Sequence, residues 1–431
     1  MMIAFWTVVY ATYLFAPITQ TPAVSLEGFM FVCMMIFIFV MAALIGSSGA
    51  SGTPAQRLAH QDMSMMSPYI RQLLNTILLI GIVGGLMSIY GKMESLKDMS
   101  LMGLSALRQE RASELLEATQ VSRGPFSAIG FLCYPAGFVG IVVALTKYEQ
   151  LQIFTRGLAV AYLPVIFLLS LAAGGRSPIL VLILFVVLAI YLRRCRGLAM
   201  IPQSKVLKGI LVGLIIAFLV YSTIIWQVRA DLAELDLEAF LQHAKEVWGV
   251  APTATLEWLA EELGQPALVR SIMNTVFYFT QSLSTLEKVI TMNESPVLLG
   301  GYHVDLVAAA LRFFPDGLKF LGDGYAALLK ENIYGFFAGA WGGFYIDFGL
   351  LGCILGVAFW GWFAGHAYRV ARHNIHSNRV VLYVFWMYSI LISFVSPPFG
   401  FSNSAVTFFW FVVYFLLSAH PIRLSAAAQK A

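Results

Sequence analysis

Ten stretches of this chain are long, apolar and nearly free of charge, which decides the solvent before any motif is read. A helix needs about 20 mostly apolar residues to cross about 30 Å of hydrocarbon. Windows of that kind fall near residues 2–17, 27–46, 73–91, 126–146, 157–174, 178–192, 206–227, 343–365, 380–396 and 402–419. Only 12% of the residues are charged while 59% are hydrophobic, and a soluble globular chain carries about 25% charged residues. Such a chain cannot cover its own surface in water, which excludes a soluble enzyme, a disordered protein and a nucleic-acid binder. The expected fold is an all-α polytopic membrane protein with about ten transmembrane helices, because backbone in lipid must satisfy its hydrogen bonds internally.

The connectors set the direction, since Lys and Arg collect on the cytoplasmic side. Arg193, Arg194, Arg196, Lys205 and Lys208 stand between spans six and seven with no acid among them. Arg369, Arg372 and Arg379 stand between spans eight and nine, and the tail carries Arg423 and Lys430. Ten spans place all three segments inside together with both termini. The amino-terminal stretch has no basic region before its apolar run, so it is read as an uncleaved first span.

The chain then divides into a bundle of spans one to seven over 1–227, an external subdomain over 228–340, and spans eight to ten with a cytoplasmic tail over 341–431. The bundle carries its own external connector, 92–124, in which five basic residues balance five acidic ones. The external loop between spans seven and eight holds seven Lys/Arg against fourteen Asp/Glu and is too long for a bare connection. Helical spacing is expected at Leu232–Trp248, Thr255–Leu263, Ser271–Met292 and Val304–Phe314, with these helices lying along the membrane surface.

Candidate chemistry lies on the outer side. Arg176 sits in LLSLAAGGRSPILVLILF, where Gly174, Gly175, Ser177 and Pro178 break the helix and free backbone N–H groups beside a guanidinium. That arrangement suits a phosphate oxygen; the alternative is a snorkelling arginine capping a helical hairpin. Further outward arginines are Arg108 and Arg111 in the first connector, and Arg229, Arg270 and Arg312 in the second. Each is a surface charge or an anion ligand, and their persistence in an acidic, partly apolar subdomain suggests an anionic, lipid-attached substrate. Candidate bases are His303, Asp305, Asp323 and Asp347. His303 reads first as a solvated loop histidine, whereas Asp347, at the outer end of span eight, needs a partner such as Arg176 to be tolerated near the bilayer. Tyr302, Tyr334 and Tyr345 flank these groups as possible substrate contacts.

The scattered Cys33, Cys133, Cys195 and Cys353 form no pair with metal-ligand or disulfide spacing, so no metal site is expected. The sequence holds no phosphate-cradling nucleotide loop and no paired broken helices of an inverted-repeat transporter, so no cofactor is expected either.

The overall layout, GGRSPIL at Gly174 to Leu180, and the aromatic NIYGFFAGAWGGFYIDFGLLGCILG at Asn332 to Gly356 resemble the Wzy-type O-antigen polymerases. The first motif is similar to that family's small-residue step with an arginine, and the second to its re-entry segment, with Phe348, Gly349 and Gly352 as its FG-x-x-G pattern. The resemblance implies inverting transfer of a growing glycan from undecaprenyl diphosphate to a new lipid-linked repeat unit, at the periplasmic face of a bacterial inner membrane. It further implies arginines such as Arg176 and Arg312 on the diphosphate, a base on the acceptor hydroxyl, and a chain-length regulator as partner. Related O-antigen ligases carry a His-Asn pair where this chain reads Glu331-Asn332-Ile333-Tyr334, and that departure points to polymerase over ligase. A flippase or transporter of the same lipid-linked sugars is the alternative from another class.

Overall fold

The computed structural model describes residues 1–48, 66–93, 124–173, 175–202, 204–232, 237–263, 266–292, 295–311, 314, 316–333, 335, 337–373, 375–401 and 403–419. In chain order they form α1 (Met2–Phe15), β1 (Ile18–Gln20), α2 (Leu26–Ser47), α3 (Pro68–Met93), α4 (Pro125–Cys133), α5 (Ala136–Thr146), α6 (Ile153–Ala172), α7 (Ser177–Cys195) and α8 (Lys205–Leu232). There follow α9 (Leu237–His243), β2 (Val250–Pro252), α10 (Ala254–Leu263), α11 (Pro266–Thr291), α12 (Asp305–Leu311), α13 (Gly317–Lys330), α14 (Gly339–His373), α15 (Val381–Leu391) and α16 (Ser404–Ser418).

Six helical segments among the described residues are long and apolar enough to cross a membrane: α2, α3, the α4–α5 pair, α6, α7 and α14. Three of the other four expected stretches form shorter apolar helices, at Met2–Phe15, Asn378–Leu391 and Ser404–Ser418, and the fourth lies in the 28-residue α8, apolar over Leu207–Tyr221. The chain is therefore a largely helical membrane protein. The stretch 380–396 stops being helical at Leu391, because Pro397 and Pro398 follow and force a turn before α16. The expected span 343–365 belongs to a longer helix that is interrupted at Gly349, whose φ of 66° and ψ of −173° are open to glycine alone.

The fold is not wholly helical. Ile18, Thr19 and Gln20 pair antiparallel with Pro252, Ala251 and Val250. The first helix thus ends at Phe15 rather than residue 17, and the two-stranded ribbon ties the amino-terminal segment to the 237–291 region. There Ile18, Phe240, Val250, Leu256, Val269, Met273 and Phe277 close a small apolar core of their own, while Trp248 stacks on Phe277 at 5.6 Å. The expected helix over 232–248 is shorter, Leu237–His243 followed by a π-turn to Trp248 that stops at Gly249 in the left-handed region.

Small residues set the helix packing. Lipid supplies no hydrophobic drive between apolar helices, so close backbone approach has to do the work. α14 runs along α2 with Gly361 and Gly365 pressed on the carbonyls of Phe39 and Ala43: a Cβ there would lie 2.3 and 2.0 Å from the oxygens. Gly81 and Gly84 of α3 meet the α4–α5 pair in the same way, near Gly137 and Cys133.

The two ends of the bundle differ. At one end Arg196 Nε donates to the Ile375 carbonyl at 2.7 Å and Lys147 Nζ donates to Asn378 Oδ1, so the basic connectors 193–202 and 375–379 share that end with 147–152. The helices α2, α7 and α14 all start from the opposite end, where Ser25 N–H reaches Glu287 on α11 at 3.1 Å and Arg176 lies over Tyr278.

Candidate active site at the break in helix α14

The interruption at Gly349 leaves the carbonyls at the end of the preceding helical segment without intrahelical partners. The 298–303 turn supplies them: Leu298 N–H donates to Ile346 O at 3.2 Å and Leu299 N–H to Asp347 O at 2.8 Å. Positive φ at Leu299 (53°) and Gly300 (91°) turns the chain back toward the helix. One step further on, Tyr302 N–H donates to Asp347 Oδ1 at 2.9 Å, and His303 Nδ1 meets Asp347 Oδ2. Asp347 is fully buried and His303 is 8% exposed, so each offsets the burial of the other.

This overturns two expectations. His303 is enclosed rather than solvated, because the turn that caps the broken helix carries it inward. The partner of Asp347 is His303 rather than Arg176, which leaves the α6–α7 hinge toward α11 and stands with its guanidinium 6.0 Å from the Tyr278 ring.

A carboxylate against Nδ1 makes that nitrogen the proton carrier and leaves Nε2 as the acceptor. The ring stands edge-to-face to Phe344 at 5.7 Å and Phe348 at 6.4 Å, and backs on the 396–400 turn. A Cβ on Gly400 would lie 3.0 Å from His303 Cδ2 and 2.0 Å from Ser396 Oγ, so only glycine lets the turn close on the imidazole. Phe348 is 41% exposed, which makes its side the open flank of the pair. Such a dyad can take a proton from a hydroxyl while the carboxylate stabilises the resulting imidazolium.

Of the other candidates, Tyr302 and Tyr345 fall in the same neighbourhood, both half-buried in the cluster around Val289, Leu298 and Ile346. Tyr345 also meets Phe31 of α2 at 6.0 Å. Asp323 is exposed on α13. Arg270 lies on α11 eight residues before Tyr278, about 12 Å along the helix axis. Asp305 opens α12 and Arg229 lies near the end of α8, with their side chains outside the described set; Arg108, Arg111, Arg312 and Tyr334 lie outside the described residues.

Two features are not among the sequence candidates. The inner face of α11 is polar and buried: Asn274, Thr280, Gln281, Ser282, Ser284, Thr285 and Glu287 are each at most 7% exposed. Glu287 there accepts the Ser25 N–H, and Gln281 Oε1 accepts the Phe337 N–H at 3.4 Å. The run TQSLST at Thr280 to Thr285 is the signal, since a polar cluster in an otherwise aromatic amphipathic helix marks a second interface. The other is the 392–401 turn, where Ser393 accepts the Trp6 indole N–H at 3.0 Å. Comparison of the chain with protein-family models, with curated proteins and with solved structures gives no match.

Proposed function

We propose that this protein polymerises oligosaccharide repeat units carried on undecaprenyl diphosphate, moving the growing glycan from its lipid diphosphate to the non-reducing end of a new lipid-linked unit. The observation that carries the reading is the buried His303–Asp347 pair, placed beside the helix break at Gly349 and at the end of the bundle opposite the basic connectors. His303 Nε2 accepts the proton of the acceptor hydroxyl as that oxygen attacks the anomeric carbon. The carbon–oxygen bond to the diphosphate breaks, and the leaving group departs as the anion. Arg176 is the described arginine best placed at that end to hold a diphosphate. The energy resides in the donor bond, so no nucleotide is needed.

In this reading the chain crosses a bacterial inner membrane ten times, with α8 and three short apolar helices completing the set. The basic-connector end and both termini face the cytoplasm, and the dyad faces the periplasm with a chain-length regulator as partner. A second reading, transfer of finished glycan to a lipid core by an O-antigen ligase, gains weight from the same histidine: the segment before α14 has none, but the fold brings His303 against Asp347 of α14 itself.

The test is deletion of the gene followed by electrophoresis of the surface polysaccharide. Collapse of the long ladder to single units attached to the lipid core supports the polymerase. Loss of all attached sugar with lipid-linked polymer accumulating supports the ligase, and units trapped on the cytoplasmic face would reject both in favour of a transporter.

A further inference from the structure

At the basic end of the bundle Arg193 is neutralised, while Lys147 and Arg196 make no ion pair among the described residues. Arg193, fully buried, binds Glu149 through both carboxylate oxygens at 2.5 and 3.0 Å and also donates to the carbonyls of Leu145 at 2.7 Å and Ala199 at 2.9 Å. Glu149 is thereby held below the usual carboxylate range: burial pushes it up, and the hydrogen bond from Arg193 outweighs that. It is the one acid in residues 144–156, 193–208 and 366–380.

Lys147 and Arg196 stand half-buried beside this pair and, among the described residues, make only neutral contacts. Arg196 donates to Ile375 O at 2.7 Å and Thr146 O at 3.2 Å, and Lys147 to Asn378 Oδ1. Burial pulls Lys147 down to about 8 and Arg196 to about 10, and the two guanidiniums and the ammonium oppose one another. His376, in the 375–377 turn, is lowered by burial and by the same Arg196 and Lys147. Behind Arg196, the fully buried Tyr414 hydroxyl has no hydrogen-bond partner among the described residues. The carboxyl ends of α5 and α7, which Lys147 and Arg196 cap, offset about half a charge each. A net positive site with spare N–H donors remains, since an ammonium has three and a guanidinium five.

We propose that Lys147 and Arg196 form a binding site for a phosphate group. The missing partner has to be an anion offering several acceptor oxygens, which a phosphate does and a single carboxylate from this chain does not. The site lies at the rim of the bundle where a helix end meets the polar boundary, within reach of the headgroup of an anionic phospholipid or of a free phosphate ion. It is independent of the polymerase reading, because it sits at the end of the bundle away from the His303–Asp347 pair.

The test is the thermal midpoint of the purified full-length protein in nanodiscs of phosphatidylcholine alone, of phosphatidylcholine mixed with phosphatidylglycerol, and of phosphatidylcholine with inorganic phosphate at matched ionic strength. Wild type is expected to gain about 3 °C from one of the additions. A gain from phosphatidylglycerol alone assigns a lipid headgroup, and an equal gain from inorganic phosphate assigns a free anion. Lys147→Gln and Arg196→Gln should lose the gain, and Arg194→Gln, at an exposed position, should keep it. No gain in wild type from either addition overturns the site, and so does an undiminished gain in a folded Lys147→Gln protein.

Discussion

Asp347 faces His303 across the turn that caps a broken helix, and the same carboxylate accepts the Tyr302 N–H at 2.9 Å. One oxygen is therefore committed to holding the turn and the other to orienting the imidazole. His303→Ala should lower glycan polymerisation by about 10²- to 10⁴-fold, the usual weight of a positioned base, with the protein still folded and inserted. Asp347→Asn keeps the shape but offers an amide to Nδ1, so it should lose activity to a similar degree and move the pH dependence of what remains. A purified His303→Ala protein that elongates glycan at the wild-type rate would remove the base.

The break itself is testable at Gly349. Its φ and ψ lie in a region that side chains avoid at a cost of about 1–3 kcal/mol, although nothing stands within 4 Å of where a Cβ would go. Gly349→Ala thus tests backbone conformation free of any clash. It should shift the carbonyls of Ile346 and Asp347 off the 298–299 N–H groups, and both the thermal midpoint and the polymerisation rate should fall. An unchanged rate would mean that the pair does not depend on the break.

Arg176 bears the anion in the proposed reaction. Arg176→Ala should abolish long glycan while the protein level stays normal, as judged by the ladder and by immunoblot. Lys in its place should rescue poorly, because a point charge cannot reproduce a planar fork of donors. Full activity in the alanine variant would return Arg176 to the role of a hinge residue resting on Tyr278.

Much of the helical framework was legible because apolar length is a local property, and the helices α2, α3, α6 and α7 are each written in one uninterrupted run. The site was only half legible. Asp347 stands out as a carboxylate near lipid, but its partner comes from the separate 298–303 turn, and what aims that turn is a backbone conformation at Gly349. The same limit applies to the ribbon, in which Thr19 lies against Ala251, 232 positions further along the chain. Three residues of strand carry no period long enough to read. The shortened α15 was readable from Pro397 and Pro398, but a hydropathy window averages across them.

The contact of α14 with α2 should respond to single methyl groups. At Gly365 a Cβ would stand 2.0 Å from the Ala43 carbonyl oxygen, whereas at Gly213 nothing lies within 4 Å. Overpacking a tight contact costs about 1–3 kcal/mol, so Gly365→Ala should lower the thermal midpoint in detergent and Gly213→Ala should leave it unchanged. Equal midpoints for the two variants would show that the helices separate easily and that close backbone approach is not what holds them.

The basic end gives a pH dependence whose sign follows from Lys147. Burial brings its folded pKa to about 8, below the ordinary lysine value of 10.5, so between those values the unfolded chain binds more protons than the folded one. Stability then rises with pH across that window: the burial cost is present in full below pH 8 and is relieved as the ammonium deprotonates. Measured in detergent without phosphate or anionic lipid, wild type should gain thermal stability relative to Lys147→Met as the pH is raised from about 8 to about 10. Supplying the proposed phosphate should flatten that gain, since a bound anion holds the ammonium charged. A gain of the same size in both proteins would show that Lys147 stays fully solvated, and would weaken the case that its neighbourhood lacks a negative charge.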